Sequence, residues 1–229
     1  MTNRAKTLLG NVPDDVAYVA PMAAFLAFTW AGGQWPQFYA ASYVIKTVIT
    51  AGLLFALRAQ YTKISWKYIG LGVLVGIIGL VQWVGMETLI LHYWPNYPRL
   101  SHDVFLPFQR FSTPTQAWLF IAVRWAGASL VVPVMEELFW RDFLWRTILA
   151  PNDFKLAAVG EWSLSAFLIV AIVFGAGVHI EWMTAIVWGL LIGGLLVWTK
   201  SLGACIVAHG VTNFLLGAYV LYTGQWHFW

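Results

Sequence analysis

A few polar side chains in a very apolar chain have the types and spacings that chemistry needs. Glu136, Glu137 and Arg141 fall in VPVMEELFWRDFLWR, His179 in VFGAGVHIEW, and His209 with Asn213 in CIVAHGVTNFLLG. On a helix, Glu137 and Arg141 are four residues apart and share a face, as do Asp142 and Arg146. The second pair reads as an ordinary salt bridge on a helix. Glu136 is turned about 100° from Glu137, with Pro133 behind it and Trp140 ahead, and has no cation at helical spacing. It must either hold its proton more tightly than usual or meet a partner from another helix. His209 and Asn213 are also four apart and lie on one face. A Glu pair, two His and an Asn that converge in an apolar setting are the kind of site that does chemistry.

The motifs resemble those of a known family. EELFWR fits the EExxxR motif of the CAAX prenyl endopeptidase and bacteriocin-processing (ABI) family of intramembrane proteases. HGVTN fits that family's HxxxN motif, and TKSLGACIVAHGVTN resembles its turn into the last catalytic helix. The resemblance runs from about Trp118 to Tyr222. The family's middle motif is Phe-x-x-x-His. Here Phe174 and His179 have one residue more between them, with Gly175 where an aromatic is expected, so no role is carried to Phe174.

The resemblance implies an intramembrane glutamic endopeptidase acting on a membrane-associated peptide or protein. Glu136 would be the general base with His179 beside it. His209 and Asn213 would donate to the oxyanion, and Glu137 and Arg141 would hold the site in shape. No cofactor is implied. The residues also leave a zinc reading open, with Glu136, His179 and His209 as ligands, since three protein ligands plus water is the usual catalytic arrangement. There is no H-E-x-x-H motif. The short chain looks more like the bacterial-type members, which implies the bacterial inner (plasma) membrane. The competing class is non-enzymatic: an immunity or binding protein of the membrane, or an ion path built from the same charges. No inverted repeat supports a transporter.

The elements that must position these residues are membrane helices. Of the 229 residues, 60% are hydrophobic and 10% charged, with mean hydropathy +0.71, whereas soluble domains carry about 25% charged residues. The expected fold is all-α, a polytopic bundle of about seven (six to eight) transmembrane helices in one membrane domain, 1–229. Residues 1–115 carry no motif and 116–223 carry all of them. Apolar segments run at about Val16–Trp30, Phe38–Leu57, Tyr68–Tyr93, Thr115–Ala150, Ser163–Ile180, Met183–Thr199 and Leu202–Thr223. The N-terminus lacks the order of a cleaved signal peptide, so the first segment is expected to remain a span.

Basic residues set the orientation. With the N-terminus in the cytoplasm, Arg4, Lys6, Arg58, Lys63, Lys67, Arg141, Arg146, Lys155 and Lys200 fall inside, and Arg99 and Arg110 outside. Lys46 and Arg124 fall within spans. The net charge of +3 gives no reason to expect a nucleic-acid partner; the partners implied are the lipid bilayer and the substrate. Cys205, the only cysteine, reads as a small buried residue, and the tail GQWHFW as an interfacial aromatic anchor.

One difficulty follows from helix rise at 1.5 Å per residue. Straight, upright helices would leave His179 far from Glu136. Bringing them together needs tilted helices, a long fourth segment broken at Pro133, or one crossing fewer or more.

Overall fold

The computed structural model describes residues 12–98 and 104–229. Arg4, Lys6 and Arg99, counted above for orientation, lie outside the described residues. The described chain is helical with no strand. Seven helices stand where the apolar segments predict them: α1 (Asp14–Gln34), α2 (Tyr39–Ala56), α3 (Ile69–Tyr93), α4 (Pro114–Leu149), α5 (Leu164–Val178), α6 (Trp182–Thr199) and α7 (Leu202–Thr223). All but α5 are long and apolar enough to cross a membrane.

The starts of the helices in the motif-bearing half follow from local chemistry. Thr113 accepts the N–H of Gln116 at the head of α4, beside Pro114, which has no N–H to satisfy. Ser163 and Ser201 cap α5 and α7 in the same way. The Ser201 hydroxyl also lies 2.8 Å from the carbonyls of Ser65 and Lys67, tying the head of α7 to the loop before α3.

The most intimate pair is α3 with α7. A Cβ added to Gly72 would lie 2.6 Å from the Ala204 carbonyl, and one at Gly76 would lie 2.7 Å from that of Ala208. Small residues four apart on both helices let the backbones meet where lipid provides no hydrophobic drive. Thr212 adds a hydrogen bond to the Gly76 carbonyl at 2.9 Å. The glycine-rich third segment, which carries no motif, thus fixes the helix that bears His209 and Asn213.

Helix α4 is 36 residues long and is not broken at Pro133. It widens instead: Gly127–Val131 and Leu138–Leu144 are π-helical, with an α-helical stretch, Val132–Glu137, between them. Such widened turns occur often at functional sites. The N–H of Val132 bonds to the Gly127 carbonyl, five residues back. Continuing that register, Pro133 would pair with Ala128 but has no N–H to give, so the Ala128 carbonyl is left for another donor.

The charges around this core behave differently from the sequence expectation in two places. Arg141 and Arg146 do not lie in a cytoplasmic loop; both are buried. Arg146 pairs with Asp142 as predicted, and its other donors bind the carbonyls of Ala157 and Lys155 and the hydroxyl of Thr62. Asp142 also accepts from Tyr18 at 2.7 Å. The pair is therefore a buried knot that joins α1, α4 and two loops. The loop cations that remain on this side among the described residues are Arg58, Lys63, Lys67, Lys155 and Lys200, against Arg110 opposite. The tail also differs: Trp226–Phe228 forms a single turn, Phe228 is buried, and Trp229 packs over Arg124 at 5.1 Å. Cys205 is fully buried, as expected.

Candidate active site

Helix α5 resolves the difficulty of depth. Its 15 residues rise only about 22 Å, short of the ~30 Å hydrocarbon core. Its end at Val178, and the turn that follows, therefore need not reach the opposite face. Irregular backbone at that depth is tolerated because it lines a protein cavity. The π-helical turns of α4 and the shortness of α5 bring their functional residues to one level. Gly175 matters here: a Cβ at that position would lie 2.7 Å from the Trp182 carbonyl and 2.6 Å from the Ile186 nitrogen. The glycine that departs from the family motif lets α6 start hard against α5.

The result is a cavity of about 200 Å³. Glu136 of α4, His179 of the α5–α6 turn, and His209 and Asn213 of α7 all line it. All four residues named as catalytic in the sequence reading are brought together. At ~30 Å³ per water, the cavity has room for several. Glu136 is 7% exposed, and its Oε2 has no hydrogen-bond partner. No direct hydrogen bond joins Glu136 to His179; they face the same space.

His179 takes a defined tautomer. Its Nδ1 lies 2.9 Å from the Phe174 carbonyl. A carbonyl can only accept, so Nδ1 carries the proton and the neutral ring keeps a lone pair on Nε2. The ring sits between Phe174, at 4.4 Å, and Trp83, at 5.7 Å. Phe174 therefore belongs to the site, through its carbonyl and its ring, despite the shifted spacing. The extra residue is absorbed because the chain leaves the helix after Val178 and His179 takes an extended conformation.

His209 is set from behind. Its Nδ1 lies 2.9 Å from Oε1 of Glu137, and that oxygen lies 3.4 Å from Nη1 of Arg141. Glu137 and Arg141 are both 0% exposed. The guanidinium lies over the rings of Phe174 and Trp188, at 4.5 and 5.6 Å, and Trp188 in turn meets the His209 ring at 4.6 Å. The aromatic faces shield a cation that makes no hydrogen bond of its own.

Asn213 shows what the widened α4 is for. Its Nδ2 donates to the Ala128 carbonyl at 2.8 Å, the acceptor that Pro133 cannot use. A Cβ on Gly210 would lie 2.9 Å from the Ser129 carbonyl, so a glycine is what lets α7 approach α4 here.

Glu181, just before α6, is a further buried carboxylate that lines this cavity; Glu87, Lys46 and Arg124 lie outside it. Glu87 accepts from Tyr97 at 2.6 Å and Thr184 at 2.8 Å. Lys46 donates to Thr29 and lies over the Phe25 and Tyr43 rings. Arg124 donates to the Tyr39 hydroxyl at 2.9 Å. Among the described residues, no three His, Cys, Asp or Glu side chains group closely enough to hold a metal ion. Sequence reasoning missed Trp188, the Ala128 carbonyl and Trp229 at the cavity wall. None carries a local signal, since each takes part only through packing.

Residues 117–215 match the family model described as "Type II CAAX prenyl endopeptidase Rce1-like". The matched segment contains every motif residue named above, and the family is the one the motifs resemble. No curated protein matches the chain, and no solved structure does.

Proposed function

We propose, from the match of residues 117–215 to the type II CAAX prenyl endopeptidases, that this integral membrane protein is an endopeptidase that hydrolyses a peptide bond of a membrane-associated protein or peptide without a metal. The observation that carries this reading is the shared cavity. Glu136, His179, His209 and Asn213 come from α4, the α5–α6 turn and α7, yet line one space of about 200 Å³.

In the proposed reaction Glu136 takes a proton from a water molecule, and the hydroxide adds to the scissile carbonyl carbon. The Nε2 lone pair of His179 helps to hold that water. Its tautomer suits an acceptor and not a donor. The carbonyl oxygen becomes an oxyanion facing His209 and Asn213. Glu137, 2.9 Å from Nδ1 of His209, braces that ring at the cavity wall. Collapse of the intermediate breaks the C–N bond, and the proton held by Glu136 passes to the leaving amine. Arg141 offsets the charge of Glu137. The arrangement leaves Glu136 as the one carboxylate of the pair free to exchange protons.

The proposed orientation has the N-terminus in the cytoplasm, in a bacterial inner membrane, on the bias of loop cations toward the α2–α3 and α4–α5 loops. The test is comparative peptidomics of membranes from cells carrying the wild type or Glu136→Ala, with the variant checked for normal abundance. The reading expects at least one peptide that is trimmed only by the wild type. If Glu136→Ala, His179→Ala and His209→Ala all kept full cleavage, the assignment would be lost. If no cleavage depended on the chain, the non-enzymatic reading would take its place.

A further inference from the structure

A second cavity, of about 600 Å³, lies at the end of the bundle where α1 ends, α2 begins and the α3–α4 connection crosses. Its walls include Gly33, Tyr39, Phe105, Leu106, Arg110 and Trp229. Trp229 also lines the catalytic cavity, so the two spaces share a wall. The wall continues along α4. Arg124, Ala128, Val132 and Glu136 recur every fourth residue, and the last three line the catalytic cavity.

The larger chamber is apolar and aromatic in body but cationic at its edges. Arg110 is exposed and, among the described residues, donates only to the Pro36 carbonyl, at 3.3 Å. Arg124 lies behind Tyr39 and Trp229, two of the chamber's walls. Lys46 lies one layer further, against the Tyr43 ring that Arg124 also faces at 5.3 Å. Among the described residues, none of the three cations has a carboxylate within ion-pair distance, and no lining residue is acidic. Buried cations in a membrane protein face a cavity or a partner, and only the Tyr39 and Trp229 rings stand between Arg124 and the chamber.

We propose that this chamber is a specificity subsite of the active site, holding a carboxylate on an apolar or aromatic segment of the peptide substrate. The proposal rests on the peptidase reading for the identity of the occupant. The carboxylate comes from an acidic side chain or a C-terminus of the substrate. The substrate enters from the end of the bundle opposite the start of α1.

The test uses the full chain in nanodiscs of neutral lipid and three dansylated apolar hexapeptides. One carries a glutamate near an amidated end, one a glutamine in its place, and one that glutamine with a free C-terminal carboxylate. Binding is measured to the wild type and to Glu136→Gln, so that turnover does not distort it. At least one acidic probe should bind about tenfold more tightly than the neutral one, and which does so names the source of the carboxylate. Arg110→Gln should bring that ratio to near one and leave the neutral probe unchanged. Gly33→Phe should weaken all three, since Gly33 lines the chamber and a Cβ there meets nothing within 4 Å. Equal binding of acidic and neutral probes overturns the proposal, as does an Arg110→Gln variant that keeps the preference. Displacement of the probes by phosphatidylglycerol would give the chamber to a lipid headgroup and overturn it as well. Cleavage of the same peptides is read separately by mass spectrometry. Selective binding without cleavage sinks the peptidase reading and leaves the chamber an anion site; cleavage without selectivity does the reverse.

Discussion

Nδ1 of His209 sits 2.9 Å from Oε1 of Glu137, and neither side chain has more than marginal contact with solvent. The two glutamates of the adjacent pair therefore have separate work. Glu137 faces away from the cavity and braces a histidine, while Glu136 faces into it. Replacing Glu137 by Ala leaves Arg141 buried without its counter-charge. Breaking such a pair costs about 3–5 kcal/mol, so thermal unfolding in detergent should show a large loss. Glu137→Gln keeps an acceptor for Nδ1 but loses the charge. It should fold better than the Ala variant and still lower kcat, because the charge that braces His209 and faces Arg141 is lost.

Glu136→Gln should separate catalysis from stability in the opposite sense. It keeps the volume and removes a buried carboxylate whose Oε2 is unpartnered. Its melting temperature should equal or exceed that of the wild type, while cleavage falls by about 10²–10⁴-fold, the usual contribution of a positioned general base. A variant that melts lower but cleaves normally would remove Glu136 from the chemistry.

Gly76→Leu tests the α3–α7 contact. Its Cβ would lie 2.7 Å from both the Ala208 carbonyl and the Val211 side chain. Overpacking of this kind costs about 1–3 kcal/mol, and the displaced helix carries His209 and Asn213. Stability and cleavage should fall together, whereas Gly85→Leu on the same helix, where a Cβ meets nothing within 4 Å, should change neither.

Exhaustive chelation in detergent should leave cleavage intact. Loss of activity that zinc restores would favour the metal reading over water activated by Glu136 and His179.

The pairings within one helix were legible because helical spacing alone makes them: Glu137 with Arg141, Asp142 with Arg146, His209 with Asn213. Contacts between helices were legible only as requirements. That Glu136 needed a partner space was readable. That the space includes His179 depended on a short α5 and a widened α4. Phe174 looked out of register because a motif counts residues, whereas the histidine reaches back to a carbonyl once the helix has ended.

The sequence by itself determined an all-helical membrane bundle, because sustained apolar runs of helical length have no other way to satisfy their backbone in lipid. It also determined which polar residues required a reason, through the cost of placing charge among such runs. The tertiary structure alone decided what those residues face. Asn213 meets the carbonyl that Pro133 leaves free, and Glu137 turns to His209 while Glu136 turns to the cavity. These choices belong to the packing of α3, α4 and α7, where backbone separations are set by single missing Cβ atoms that no spacing rule along one helix can express.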